Sequence, residues 1–92
     1  MVGRLMAGFE ALVEVQLRAG IADPQGATIE RALPALGFSS VSGVRAGKAF
    51  RLSVEAPDEE EARRVVGALC SRLLANPVIE DFAVSLTAAG GR

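Results

Sequence analysis

The chain has 92 residues, half of them hydrophobic and 4% aromatic, with ten basic and eleven acidic side chains and a net charge of −1. That length suits one small domain, which buries a modest share of its surface and often gains stability by association. The balanced charge argues against a nucleic-acid binder held by phosphate neutralisation, the aliphatic content argues against disorder, and no run approaches the roughly 18 apolar residues of a membrane span.

The lone Cys70 excludes an intrachain disulfide framework and suits a reducing compartment. The opening "MVGRLMAG" lacks an apolar stretch of signal-peptide length. The expectation is a cytoplasmic protein with a flexible leader over 1–8, a single domain over 9–87 and a flexible tail over 88–92.

From Phe9 to Leu17 the odd positions are Phe, Ala, Val, Val and Leu, and the even ones are mainly Glu and Gln. This alternation predicts a half-buried strand, with Leu12 the apolar exception on its polar face. Asp23 and Pro24 then open a helix. The aspartate is a favoured N-cap and the proline fits the first helical position, where no N–H bond is needed. Ile29, Ala32, Leu33 and Leu36 recur at helical spacing, Gly37 suits the closing position, and Pro34 should bend the helix.

Phe38 to Arg45 reads as a second strand with a bulge near Gly43, and Ala46-Gly47 as a tight turn. The third strand runs from Ala49 to Glu55, with Phe50, Leu52 and Val54 on one face. Asp58 caps a second helix whose first turn is acidic. Ala62, Val65, Val66, Leu69 and Leu73 form its expected buried stripe, and Asn76-Pro77 ends it. Val78 to Leu86 is the fourth strand, with Phe82, Val84 and Leu86 in one phase. The order strand, helix, strand, strand, helix, strand implies an α+β fold of the ferredoxin-like plan: a four-stranded antiparallel sheet with two helices on one face.

Little in the chain can carry catalysis. There is no histidine for acid–base work. Cys70 falls on the flank of the second helix's apolar stripe and reads as a structural thiol with no base to activate it. Asp58, Glu59, Glu60 and Glu61 read as a helix N-terminus that favours negative charge rather than a metal site. Arg63, Arg64 and Arg72 read as a solvated face.

Two stretches are less easily dismissed. Arg45 and Lys48 flank Gly47, as a solvated hairpin or as an electrostatic contact for an acidic partner or phosphate. In Asp23-Pro24-Gln25-Gly26, capping accounts for the first two residues. It does not account for Gly26, a poor helix residue that permits close backbone approach.

The segments "LRAGIADPQGATIERALPALGF", "VSGVRAGKAFRLSVEA" and "LLANPVIEDFAV" resemble PurS, the small subunit of phosphoribosylformylglycinamidine (FGAM) synthase. The resemblance covers about Phe9 to Leu86. Three blocks match in order and spacing: Asp23 to Gly26, Val44 to Lys48, and Ala75 to Glu80. It implies a subunit with no catalytic residue, bound cofactor or metal of its own. ATP and Mg would be used by the large synthetase subunit, PurL, and ammonia would come from the glutaminase subunit, PurQ. The small subunit would form a dimer or tetramer and bridge the two. The matched blocks make Asp23, Gln25, Gly26, Arg45, Gly47, Lys48, Asn76 and Pro77 the candidate partner contacts, with Asp23, Gln25 and Gly26 expected on one partner surface and Arg45 and Lys48 on another.

Two other readings share the element order. An ACT-like regulatory domain would bind a small molecule at the Gly20–Gly26 loop. An RNA-binding domain would need stacking aromatics on its strands, and Phe50 stands alone on the third.

Overall fold

The computed structural model describes residues 5–89. It contains β1 (Ala7–Leu17), α1 (Pro24–Ala32), β2 (Gly47–Ala56), α2 (Glu59–Leu69) and β3 (Glu80–Ala88). Of the expected leader and tail, residues 1–4 and 90–92 lie outside the described residues. At their inner margins the ladder continues, with the Ala89 amide donating to the Gly8 carbonyl at 2.9 Å.

β1 lies at the centre of the sheet, antiparallel to β2 on one side and β3 on the other. Its alternation sets the two faces. Val13 sits between Phe50 and Val84, and Ala11 between Leu52 and Leu86. Leu12 sits between Arg51 and Ser85 on the opposite face, where it is half-buried.

α2 covers the apolar face and packs on all three strands. Asp58 caps it as expected, its carboxylate accepting the Glu61 amide at 2.8 Å. The buried row is Ala62, Val66 and Cys70, each 0% exposed, of which Val66 and Cys70 form one core cluster with Ala11, Val13 and Val15. The expected stripe was set too far round, since Val65 is 38% and Leu73 74% exposed. The α-helix passes at Cys70 into a five-residue π-helical turn, closed by the Ala75 amide on the Cys70 carbonyl at 2.9 Å. The wider winding carries Leu73 off the sheet-facing side.

Two expectations need correction. The sheet has three strands rather than four, because residues 38–46 form no strand. Carboxylates on and beside α1 take up the backbone amides that a strand would pair. Glu30 accepts from Gly43 and Val44, each at 3.1 Å, and Asp23 accepts from Ala46 at 2.8 Å. Gly43 holds a positive φ of 72°, which breaks the extended run. Ala46-Gly47 is accordingly no hairpin turn: the chain enters β2 at Gly47.

The second correction concerns α1. It packs mainly on its own 3₁₀ continuation, Pro34–Leu36, and on the connector behind it, instead of lying on the sheet beside α2. Pro34 causes the change of winding, since it has no N–H to give to Glu30. The Leu33 amide takes the Glu30 carbonyl at 3.2 Å instead. Gly37 then closes the segment at a φ of 92°. The chain is elongated, with a Cα radius of gyration of 17.8 Å, against about 12 Å for a compact domain of this length.

Candidate functional site, a partner-contact surface

The three sequence blocks are far apart in the chain, yet the fold brings all three to one end of the sheet. β1 ends there at Leu17, β2 begins at Gly47, β3 begins at Glu80, and α1 starts beside them. Side chains lock these four chain ends together.

Asp23 is the hub. One carboxylate oxygen accepts the Gly26 amide at 3.0 Å and caps α1. The other accepts the Ala46 amide at 2.8 Å and joins α1 to the start of β2. The side chain is only 10% exposed, with the Arg45 guanidinium 3.9 Å away. The Ala46 and Gly26 amides, helped by Arg45, hold its carboxyl below the usual carboxylate range. Arg45 also donates to the Leu17 carbonyl at 3.1 Å, tying the entry of β2 to the exit of β1.

The two glycines serve close approach. A Cβ on Gly26 would collide with the Asp23 carboxylate and stand 2.8 Å from the Val44 carbonyl oxygen. The element that Gly26 admits is therefore the chain's own connector. A Cβ on Gly47 would stand 2.7 Å from the Val15 carbonyl oxygen.

Lys48 reaches across the end of the apolar face. Its ammonium lies 3.6 Å from Glu80 and 5.9 Å from the centre of the Phe50 ring. Asn76 shapes the turn into β3, its side-chain oxygen accepting the Val78 amide at 3.0 Å and its carbonyl accepting the Glu80 amide at 2.8 Å. Glu80 returns the contact by accepting the Asn76 amide at 2.6 Å. Pro77 is exposed and offers its carbonyl to the Arg18 guanidinium at 2.6 Å.

Glu80, the last residue of its matched block, completes the arrangement with Arg18, Glu30 and Asp81, which lie outside the three blocks. Arg18 pairs with Asp81 at 3.2 Å, and its amide donates to the Ile79 carbonyl at 2.8 Å. The signal for Arg18 was its place just past the last alternating residue of β1, where a long cation reaches the neighbouring chain. Glu30 gave no signal, since its partners are backbone amides thirteen and fourteen residues on.

The result is a surface nearly balanced in charge, because each of the three cations Arg18, Arg45 and Lys48 has its own carboxylate. Val15 and Leu17 line an open cleft of about 310 Å³ with Asp23, Pro24, Gln25, Ala46, Gly47, Lys48 and Glu80. Gln25 and Pro24 are exposed at its margin, and Gln25 is the one residue of its block with no structural duty shown by these contacts. Such a surface offers backbone and amide groups and little net charge. Among the described residues no three His, Cys, Asp or Glu side chains gather as metal ligands. Cys70 is sealed under α2, where burial pushes its thiol up and away from the reactive thiolate.

Comparison with known proteins agrees with this geometry. The family model described as PurS: Phosphoribosylformylglycinamidine (FGAM) synthase matches residues 10–88. The chain is 43% identical to phosphoribosylformylglycinamidine synthase subunit PurS of Archaeoglobus fulgidus over 72 residues, covering 78% of this chain and 90% of that one. It is similar in structure to the PurS subunit of Thermotoga maritima, with a TM-score of 0.83 and 37% identity over 91% of this chain and 97% of that one. It also matches a chain of the PurLQS structure from Thermotoga maritima, with a TM-score of 0.81 and 39% identity over 87% of this chain and 98% of that one. The chain belongs to the PurS family of phosphoribosylformylglycinamidine synthase.

Proposed function

We propose that this chain is a non-catalytic assembly subunit of the ATP- and glutamine-dependent FGAM synthase of purine biosynthesis. It holds the glutaminase subunit PurQ and the synthetase subunit PurL together, so that ammonia released by the first reaches the second. It also associates with itself as a dimer or tetramer. The observation that carries this reading is the convergence of three separate sequence blocks on one end of the sheet. They form a charge-balanced surface, cross-linked by ion pairs, around an open cleft. Membership of the PurS family and the match to a PurLQS chain support it, and so favour it over an ACT-like sensor. Phosphoryl transfer and amidation then belong to the larger subunits, and this one brings the parts into register.

The partner contacts are Asp23, Gln25, Gly26, Arg45, Gly47, Lys48, Asn76 and Pro77, in two roles. Gln25, Lys48 and Pro77 present the surface. Asp23, Gly26, Arg45, Gly47 and Asn76 hold it in shape through the contacts described above. The work is cytoplasmic, and no helix among the described residues is long and apolar enough to cross a membrane.

The test is a pair of surface variants, Gln25→Arg and Lys48→Glu, each mixed with PurL and PurQ and resolved by size-exclusion chromatography. Both should fold like the parent by circular dichroism yet co-elute less with at least one large subunit. Full co-elution with both partners would remove these residues from the contact surface.

A further inference from the structure

With β1 at the centre, the sheet has two outer edges, one on β2 and one on β3. An uncovered edge carries a row of backbone groups that can pair with another chain. On β3 the register shows which groups these are. The Ala89 amide donates to Gly8 and the Arg18 amide donates to Ile79. In the antiparallel ladder the odd-numbered residues of β3 therefore bond to β1. The even-numbered ones, Glu80, Phe82, Val84, Leu86 and Ala88, turn their N–H and C=O groups outward.

Two of these outward groups are taken from within the chain. The Glu80 amide donates to the Asn76 carbonyl at 2.8 Å. The Val84 carbonyl accepts the guanidinium of Arg63, which reaches over from α2, at 3.1 Å. The Arg63 side chain is half exposed, and Glu59, one turn earlier, steadies its other terminal nitrogen at 3.4 Å. α2 has its own hold on the sheet through Val66 and Cys70, so this polar reach is not what seats the helix.

We propose that Arg63 guards the outer edge of β3 and closes it to a strand from another molecule. Val84 is the middle residue of the nine in β3. An incoming strand would bring an N–H donor to within about 3 Å of its carbonyl, and the guanidinium already stands at that distance. With the Val84 carbonyl and the Glu80 amide both in use, an added strand could pair completely only with Phe82 on one side and with Leu86 and Ala88 on the other. Each stretch is shorter than an ordinary strand of about 5–6 residues. Displacing the arginine would leave a cation at the seam between two chains. The benefit is a defined assembly, because edge-to-edge pairing of sheets has no built-in stop.

Arg63→Ala in the full chain tests the proposal. Arg64→Ala is the control, since Arg64 lies on the same helix and pairs with Glu61 instead of a strand. The readouts are sedimentation velocity and residue-resolved hydrogen exchange at the outward amides of Phe82, Val84 and Leu86. In the parent these amides should exchange freely. Arg63→Ala should form larger, concentration-dependent species than the parent, and the same amides should slow at least about tenfold as those species form. Arg63→Met, which keeps an apolar stem but has no donor, should repeat the result and so separate the lost hydrogen bond from lost packing. Arg64→Ala should match the parent in both readouts. If both Arg63 variants sediment like the parent, the edge needs no guard and the proposal fails. Growth without protection of the outward amides places the new contact elsewhere and refutes it too. Protection of those amides already in the parent would make β3 a native seam, the opposite of a guarded edge. Equal growth of Arg64→Ala would assign the effect to the charge of α2 and overturn the role of the Val84 contact.

Discussion

Replacing Gly26 with alanine sets two physical effects against each other. Helix propensity alone favours alanine over glycine by about 1 kcal/mol inside a helix. The geometry points the other way. The new methyl group would meet the Asp23 carboxylate and stand 2.8 Å from the Val44 carbonyl oxygen. Neither neighbour can retreat cheaply, because that carboxylate holds the Gly26 and Ala46 amides and Val44 is held by Glu30. Overpacking of this kind costs about 1–3 kcal/mol. After the propensity gain is subtracted, Gly26→Ala should destabilise the protein by up to about 2 kcal/mol, which at about 4–8 °C per kcal/mol lowers Tm by as much as about 16 °C. Gly67 in α2 is the control. A Cβ there meets nothing within 4 Å, so Gly67→Ala should raise stability by about 0.5–1 kcal/mol. Thermal melts followed by circular dichroism at one fixed protein concentration decide the matter. If Gly26→Ala were as stable as the parent, the close packing of the connector on α1 would be wrong.

Val66→Ala empties part of the contact between α2 and the sheet, where Val66 is 0% exposed. It should cost about 2–3 kcal/mol in urea denaturation, and a loss below about 0.5 kcal/mol would deny α2 its place over the core. Glu30→Ala removes the acceptor of the Gly43 and Val44 amides. Hydrogen exchange at those two amides should quicken at least about tenfold; unchanged exchange would mean something else protects them. Asp23 gives a pH signature. Its carboxyl titrates below the ordinary 3.8 in the folded chain, chiefly through the Ala46 amide. The ionised side chain therefore stabilises the fold fully above that ordinary value, and the contribution fades as pH falls through the lower folded value. The stability gap between the parent and Asp23→Asn should be flat near neutrality and close in strong acid. A gap that widened on acidification would reverse the assignment.

The elements that the sequence disclosed are those whose signals are local. β1 was legible because period-two alternation over nine residues fixes one face, and its two neighbours then match it phase for phase. Both caps were legible because Asp23 and Asp58 bond to amides three residues away. The failures share one cause, which is backbone committed to distant side chains. Residues 38–45 have strand-like composition, but the Gly43 and Val44 amides go to Glu30, and nothing in the local pattern records that. The buried row of α2 was misplaced at Leu73 because a π-helical turn leaves no trace in apolar spacing. At the site, the matched blocks were expected on separate surfaces, and only the fold showed that they lie together at one end of the sheet. The division of labour inside them, with Gly26 admitting Val44 and Arg45 holding Leu17, required the fold.

The central claim is that this chain contributes assembly and no chemistry. The direct measurement is FGAM formation by purified PurL and PurQ, with and without this chain, supplied either with glutamine or with ammonium. Glutamine-dependent turnover should require the chain, and ammonium-dependent turnover by the synthetase subunit should proceed without it. Equal dependence of both activities on the chain, or glutamine-dependent turnover in its absence, would contradict the account.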